Sequence, residues 1–211
     1  MVEPWFNGKI YGNENQQATA VKLLLHVCCA PCSAACIASL REEGMEPSLF
    51  WYNPNIHPCT EYSARRDTLV EYAHTLGLPL IVEDEYGLRQ FISAVESGGL
   101  QGTEQDTSSC FDFPLRCTAC YRLRMEKAAL TAQEQGFDAF STTLFISPYQ
   151  NHELLREQAA EAAKRQGTAL LYRDFRPRFK EGQAEARRLG LYMQKYCGCI
   201  FSEEERYSKT R

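Results

Sequence analysis

Several features that fix a protein's class are missing from this sequence of 211 residues. No apolar run approaches the roughly 20 residues of a membrane-spanning helix, and no repeat or low-complexity tract is present. Positive charge is not in excess, since 23 lysines and arginines stand against 27 aspartates and glutamates, a net charge of −4. We therefore expect one globular domain without a membrane span, in which any nucleic acid would bind a local basic patch.

A secretory signal is also missing, because the opening MVEPWFNGKIYGNENQQ has no basic segment followed by an apolar stretch. We therefore expect a cytoplasmic protein in a reducing compartment, where disulfide frameworks are rare. The ten cysteines then predict metal ligands or redox groups where they stand in close pairs. The alternative, a small buried apolar residue, accounts for Cys36, Cys59 and Cys110 but poorly for the pairs.

Short apolar runs alternate with helical patterns along the chain. Five runs predict strands buried on both faces: Leu23–Val27, Ser48–Tyr52, Leu80–Val82, Ala139–Ile146 and Ala169–Tyr172. Four helical stretches each end at a glycine just before such a run: Gly44, Gly77, Gly136 and Gly167. Repeated helix–glycine–strand junctions predict an α/β protein with a mostly parallel five-stranded sheet and helices on both faces.

One interval breaks this rhythm. Residues 84–136 contain two helical patterns around a polar, glycine-rich segment, and we interpret them as a helical insertion that carries Cys110, Cys117 and Cys120. We expect a single domain that spans residues 1–211, with residues 1–20 as an N-terminal extension.

Three cysteines follow the first predicted strand directly, in the motif HVCCAPCS that contains Cys28, Cys29 and Cys32. Ligands of open α/β sheets bind at the carboxyl ends of strands, at the point where the strand order reverses, and the first strand is the best candidate for that point. Consecutive side chains diverge on an extended backbone, so we expect Cys28 and Cys29 to serve two neighbouring metals.

Two further cysteine pairs have the spacing of metal ligands. Cys117 and Cys120 are separated by two residues, as zinc and iron–sulfur sites require. A thioredoxin-like redox pair is the weaker alternative, because that pair follows the first strand of a βαβ unit. Cys197 and Cys199 flank Gly198, which permits a tight turn, and can chelate one metal or contact two. Together with Cys32 these thiols exceed the four that a zinc ion or a [4Fe–4S] cluster takes, which favours a cluster plus a second metal or a redox pair.

A short glycine-containing segment resembles a nucleotide-binding motif. Ser97–Gly99 resembles the start of the phosphate loop of ATP pyrophosphatases that modify tRNA, but it follows a helical pattern instead of the first strand. We interpret it as the end of a helix and do not expect the protein to use ATP.

Polar residues elsewhere allow two interpretations each. Tyr52 and His57 follow the second strand; His57 could donate a proton or be a solvated histidine in a proline-bounded turn. Arg65 and Arg66 could bind RNA or form a solvated helix face.

A basic segment with interleaved aromatic residues follows the last predicted strand. Such a segment is suited to binding single-stranded RNA; the alternative is a charged surface loop that Phe175 and Phe179 anchor. Its cations are Arg173, Arg176, Arg178 and Lys180.

Five motifs in one order resemble a known family. They are HVCCAPCS, YNPNIHPCTEYSARR, CTACYRLRMEKAA, FSTTLFISPYQNHE and YRDFRPRFKEGQAEARRLGLYMQKYCGCIFS, and they extend from Leu23 to Ser202. The sequence is similar to the cobalamin-independent epoxyqueuosine reductases of the QueH type. This resemblance implies an adenine-nucleotide α-hydrolase-like fold of the PP-loop or HUP class, in which cysteines replace the phosphate loop. It also implies the last step of queuosine biosynthesis, removal of the epoxide oxygen of epoxyqueuosine at the tRNA wobble position.

The resemblance further implies a [4Fe–4S] cluster beside a mononuclear iron, a tRNA substrate and an electron donor such as a reductase or a ferredoxin- or flavodoxin-like protein. In some relatives an aspartate stands where this chain has Cys32. We expect Cys117 and Cys120 to hold the cluster with one cysteine of each other pair, and Cys32 to hold the lone iron with the remaining two. His57 and Tyr52 are the candidate catalytic residues. Another iron–sulfur tRNA-modifying enzyme on this scaffold and a non-catalytic zinc module are the alternatives.

Overall fold

The computed structural model describes residues 21–99 and 115–208, and within them five parallel strands form one sheet in the order β3-β2-β1-β4-β5. The strands are β1 (Leu23–His26), β2 (Ser48–Trp51), β3 (Leu80–Val82), β4 (Ala139–Thr142) and β5 (Ala169–Leu170). Leu25 of β1 pairs in register with Leu49 of β2 and with Ser141 of β4, so β1 is the central strand and is buried along its whole length. The predicted α/β fold with a five-stranded parallel sheet is confirmed.

Helices cover the sheet in two groups. The helices are α1 (Ala30–Glu42), α2 (Cys59–Leu76), α3 (Leu88–Gly99), α4 (Leu115–Glu134), α5 (His152–Gln166), α6 (Phe179–Arg188) and α7 (Ile200–Tyr207). Helix α1 packs on α2 and α6, whereas α4 packs on α3 and α5. Because βαβ crossovers are right-handed and the chain winds in opposite directions from β1, the two groups lie on opposite faces. No helix within the described residues is long and apolar enough to cross a membrane.

The helix–glycine–strand junctions explain how the layers connect. Gly77 ends α2 and Gly167 ends α5, both with φ of 66°, in the left-handed region that glycine adopts without steric cost. At Gly77 the amide donates back to the carbonyl of His74, and the chain then turns into β3. The glycines that the sequence predicted to end helices do so.

The strand after α4 is shorter than predicted. Strand β4 ends at Thr142 because the Thr142 Oγ1 accepts the amide of Leu144 at 3.2 Å, and Thr143–Ile146 form a 3₁₀ turn instead of more strand. The carboxyl ends of β1 and β4 are neighbours, and the connections leave them in opposite directions, which makes the switch point predicted at β1. Residues after β1 and after β4 therefore meet at one edge of the sheet.

The predicted insertion is described only in part. Helix α3 and nearly all of α4 fall within residues 84–136, but α4 also contacts β4 and packs against α5, as a helix of the α/β layer does. The insertion boundary remains a prediction. The N-terminal extension at residues 1–20 and Cys110 lie outside the described residues.

Candidate metal centre

The cysteines that follow β1 form a compact group of three thiols. The Sγ atoms of Cys28, Cys29 and Cys32 all lie within 4.8 Å of one another, and those of Cys28 and Cys29 are 3.8 Å apart. The expectation that the neighbouring side chains Cys28 and Cys29 diverge is wrong. The reason is that Cys29 is the extended N-cap of α1, with φ of −171°, so the backbone changes direction between strand and helix.

The distance between these two sulfurs is itself informative. Two thiolates bound to one tetrahedral ion at about 2.3 Å lie about 3.8 Å apart. The first doublet, Cys28 and Cys29, can therefore bind one ion or contribute one thiol to each of two adjacent metals. Hydrogen-bond donation from the Cys29 and Cys32 thiols holds the pKa of Cys28 well below its usual range, against the opposing effect of burial. The trio therefore contains one favoured thiolate.

Amide and hydroxyl donors surround the trio. Gln194 Nε2 donates to Cys29 Sγ at 3.0 Å and lies 3.6 Å from Cys32 Sγ. Thr143, in the turn after β4, places its hydroxyl 3.4 Å from Cys28 Sγ. Sequence reasoning missed both residues, because each reaches the sulfurs only through the fold, from positions more than 100 residues away.

The other two cysteine pairs lie at the start of α4 and just before α7, and one thiol of each pair is buried in the same hydrophobic cluster. Cys117 and Cys120 lie in the first two turns of α4, while Cys199 is the N-cap of α7 and accepts the amide of Ser202. Burial raises the pKa of Cys117 to about 11, and the thiols of Cys197 and Cys199 add to that rise. Burial also raises the pKa of Cys120, to about 12, with contributions from the same last pair, Cys197 and Cys199. The charges of the two pairs therefore influence each other, although Cys28, Cys29 and Cys32 are the only group of three or more metal-ligating side chains that the described residues bring within 4.8 Å of one another.

A buried cation links the thiol groups. Arg124 is 2% exposed, and its Nη2 donates to Cys120 Sγ at 3.0 Å, while its Nη1 lies 3.5 Å from Asn53 Oδ1. Burial disfavours its charge, yet the thiols of Cys120, Cys197 and Cys28 raise its pKa. No carboxylate within the two described ranges pairs with it. Sequence reasoning missed Arg124, although its position one helical turn after Cys120 was a usable signal.

A second buried arginine holds the loop of the last pair. Arg65 is 2% exposed; it pairs with Glu61 at 2.7 Å and donates to the carbonyls of Cys197 and Tyr196, each at 3.0 Å. A Cβ at Gly198 would lie 3.0 Å from Arg65 Nη1, and Gly198 has φ of 124°, so the loop requires glycine there. Arg65 is therefore not a solvated helix residue: its guanidinium is bound by Glu61 and by two backbone carbonyls, and it lines the cavity described next.

A cavity of about 420 Å³ opens beside these thiols at the carboxyl edge of the sheet. Cys28, Cys32 and Cys197 line it, whereas Cys117, Cys120 and Cys199 do not. Other side chains that line the cavity include Arg124, Tyr149, Phe179, Gln194, Lys195 and Arg206. An open metal position would therefore face the cavity at Cys32 and Cys197.

The two residues predicted to be catalytic lie apart from the cavity. His57 is 2% exposed, its ring contacts those of Tyr86 and Phe91, and neither ring nitrogen has a hydrogen-bond partner in the structure as described. Burial lowers its pKa to about 4, so the ring is neutral at neutral pH. The solvated-histidine interpretation is wrong. Tyr52 stacks on Phe50, and neither Tyr52 nor His57 lines the cavity.

The predicted RNA-binding cations are largely engaged with acidic residues. Arg173 pairs with Glu43, Arg176 with Asp174, and Arg178 with both Glu42 and Glu181. Arg66 pairs with Asp67 and Asp84. Lys180 is exposed, and no ion pair to it is found in the residues that the structure covers. The basic segment carries less free positive charge than its sequence suggests.

Comparisons with known proteins agree on one family. The family model described as epoxyqueuosine reductase QueH matches residues 23–205. An epoxyqueuosine reductase QueH of Dehalococcoides mccartyi is 36% identical over 90% of this chain and 97% of the relative. Proteins of the same name from Acinetobacter baylyi and Thermotoga maritima are 35% and 32% identical, over 87% and 89% of this chain and 81% and 93% of their own.

Proposed function

The chain belongs to the epoxyqueuosine reductase QueH family, and we propose that it removes the epoxide oxygen of epoxyqueuosine at the wobble position of tRNA to give queuosine. The observation that carries this proposal is the group of three thiols that follows β1, Cys28, Cys29 and Cys32, two of which line the cavity together with Cys197. We place the reaction in the reducing cytoplasm, where free thiols persist.

The residues present fit an anionic, thiolate-bound iron centre. A cluster held by four thiolates needs soft sulfur ligands and positive charge nearby. The site offers both: three thiols after β1 lie within 4.8 Å of one another, and Arg124 is a buried cation without a carboxylate partner in the described parts of the chain. A buried unpaired charge is costly, and a resident anion beside Cys120 would remove that cost.

The cavity supports a division of the thiols between two metal sites. Both α4 cysteines, Cys199 and one thiol of the first doublet would bind the [4Fe–4S] cluster. Cys32, Cys197 and the other thiol of the doublet would bind the mononuclear iron. Cys32 and Cys197 line the cavity, and Cys199 is buried away from it, so the second site is the one that substrate can reach.

When bound, the cluster would supply electrons and the iron would act as a Lewis acid toward the epoxide oxygen. Overall, two electrons and two protons convert the epoxide to an alkene and release its oxygen as water, with the electrons drawn from a reductase or a ferredoxin- or flavodoxin-like protein. The chain itself supplies the rest. Gln194 holds the sulfurs of Cys29 and Cys32 by hydrogen bonds, Arg65 fixes the loop of Cys197, and Arg124 places a fixed positive charge at the cavity wall.

The reaction is tested by nucleoside analysis of tRNA. Anaerobically purified protein, given a chemical reductant and tRNA that contains epoxyqueuosine, should yield a nucleoside lighter by one oxygen atom that co-elutes with queuosine. Metal-free protein should give no conversion. Unchanged epoxyqueuosine with the iron–sulfur centre intact would instead favour another iron–sulfur tRNA-modifying enzyme, and colourless zinc protein would favour a non-catalytic module.

Replacing Cys32 separates the two metal sites. Cys32→Ser should keep the cluster absorption but lose the additional iron, and epoxide reduction should fall at least about 100-fold, since outer partners of metal ligands alone cost roughly 10–100-fold. Cys32→Asp should retain iron, because carboxylate is itself an iron ligand. Iron and sulfide per chain and turnover are the measurements.

Cys36 provides the matched control for Cys32. It lies one turn further along α1 and is fully buried in the hydrophobic core, so Cys36→Ser should leave both metals in place. If Cys36→Ser removed the cluster while Cys32→Ser changed neither iron nor activity, the ligand assignment would be wrong.

The basic segment after β5 is tested by salt dependence of tRNA binding. Arg176→Ala and Lys180→Ala should each weaken affinity and reduce the slope of log affinity against log salt by about 0.7 for every phosphate that the variant no longer binds. The effect should be larger for Lys180, because Arg176 must first leave Asp174. Lys164→Ala is the control, since Lys164 is exposed at the end of α5, on the opposite edge of the sheet. If the slope of log affinity against log salt stayed at the wild-type value in all three variants, the RNA would bind another surface.

A further inference from the structure

One large aromatic side chain on the cavity is exposed without a structural reason. Tyr149 is 81% exposed, far more than any other large apolar or aromatic side chain among the described residues. It lines the mouth of the cavity that also contains Cys28, Cys32 and Cys197. An aromatic ring left in water contributes nothing to the core, and tyrosine is enriched where one face meets a partner.

The backbone beneath Tyr149 is fixed. Its amide donates to Ser147 Oγ at 3.3 Å, and the next residue, Gln150, accepts the hydroxyl of Tyr121 at 2.6 Å. Gln150 Nε2 also lies 3.6 Å from Cys197 Sγ, and Asn151 caps α5. The exposed ring is therefore carried on a segment that is tied to the metal centre on one side and to a helix on the other.

A second aromatic ring supports the first. Phe179, at the start of α6, meets Tyr149 edge to face, with ring centroids 5.9 Å apart and an interplanar angle of 82°. This contact uses one side of the Tyr149 ring, and the ring is otherwise open to solvent. Two rings at a right angle on the cavity mouth form a corner that fits a planar group.

The charges around the mouth match a nucleic acid. Lys195 and Arg206 line the cavity at exposed positions, and in residues 21–99 and 115–208 neither has an ion-pair partner. Arg173, Arg176 and Arg178, by contrast, are paired with carboxylates. An exposed aromatic platform flanked by free cations is how proteins bind unpaired nucleotides: bases stack on the ring, and the cations bind the backbone.

We propose that Tyr149 is a nucleobase-stacking site, on which an unpaired base of the anticodon loop stacks while Lys195 and Arg206 bind the flanking phosphates. This inference rests on the proposed function, because it assumes that RNA is the substrate. The ring positions the modified nucleotide over the cavity, so that the epoxide-bearing group reaches the thiols of Cys32 and Cys197. Tyr149 is thus a substrate-positioning residue and has no part in the redox chemistry.

The test uses the full chain with its metals and an unmodified anticodon stem–loop RNA as the probe. Tyr149→Ala should weaken binding about tenfold, the loss of one stacked base, with the slope against salt unchanged. Tyr149→Phe and Tyr149→Trp should bind within about threefold of the wild type, because both keep an aromatic face. Lys195→Ala should instead reduce the slope, by about 0.7. Tyr86→Ala is the control, a partly exposed tyrosine that does not line this cavity.

Three results would overturn the proposal. Wild-type affinity in Tyr149→Ala with normal iron content would remove the stacking site. Equal losses in Tyr149→Phe and Tyr149→Ala would assign the effect to the hydroxyl instead of the ring. If Tyr149→Ala bound RNA normally but accepted electrons poorly from a protein electron donor, the cavity mouth would be a docking site for that donor. Because the probe has no epoxide, a stacking site can be confirmed or rejected whether or not the protein reduces epoxyqueuosine.

Discussion

Cys120→Ser is expected to abolish the proposed iron–sulfur cluster. Cys120 is buried between α3 and α4, and the thiol accepts a hydrogen bond from Arg124. A cubane cluster needs four thiolates, and a serine hydroxyl is a poor substitute. Broad absorption near roughly 400 nm should disappear from anaerobically prepared protein, and sulfide should fall toward zero. Cys117→Ser should do the same.

Cys59→Ser controls for the loss of a thiol as such. The interpretation of Cys59 as a small buried residue is wrong, because Cys59 is exposed at the start of α2. It belongs to none of the thiol groups, so its replacement should leave iron and sulfide unchanged. Circular dichroism of the metal-free proteins tests folding independently. If folded Cys120→Ser protein kept a full complement of sulfide, α4 would not supply the cluster ligands.

Arg124→Gln should lower the reduction potential of the metal centre. Reduction adds negative charge, and a buried guanidinium beside the thiolates stabilises the reduced state more than the oxidised one. A unit charge about 5 Å away in a medium of effective dielectric constant near 20 contributes about 3 kcal/mol, which corresponds to a shift on the order of 100 mV for one electron. Redox titration followed by electron paramagnetic resonance measures the potential.

Arg124→Lys and Arg122→Gln separate charge from packing. Lysine keeps the positive charge, so the potential of Arg124→Lys should lie closer to the wild type. Arg122 lies two positions earlier on α4 and is partly exposed, so its loss should change the potential little. A potential that stayed at the wild-type value in Arg124→Gln, with full metal content, would show that Arg124 serves packing alone.

The sequence was sufficient to predict the parallel sheet and the strand end at which the three thiols lie. Glycines such as Gly77 and Gly167 act locally, and a buried parallel strand is a continuous apolar run, so both signals are read without tertiary information. The rule that ligands bind at the switch point placed the trio of Cys28, Cys29 and Cys32 correctly at the carboxyl end of β1.

The surroundings of the thiols could not be read from the sequence, because they depend on contacts between distant segments. Arg65 looked like a solvated helix residue, yet it binds carbonyls about 130 positions away. Arg173 looked free in the sequence, yet it pairs with Glu43, the residue that follows α1. The convergence of Cys28 and Cys29 required the strand-to-helix turn, whose angle no residue pattern specifies.

Metal analysis of anaerobically purified protein tests most directly whether these cysteines hold a cluster and a separate iron. Iron and acid-labile sulfide should both be present, with iron in excess by about one atom per chain, and Mössbauer spectra should resolve the extra iron from the cluster. In Cys32→Ser protein that excess should vanish while the sulfide remains. Zinc as the only bound metal, with no inorganic sulfide in freshly prepared protein, would contradict the assignment of both sites.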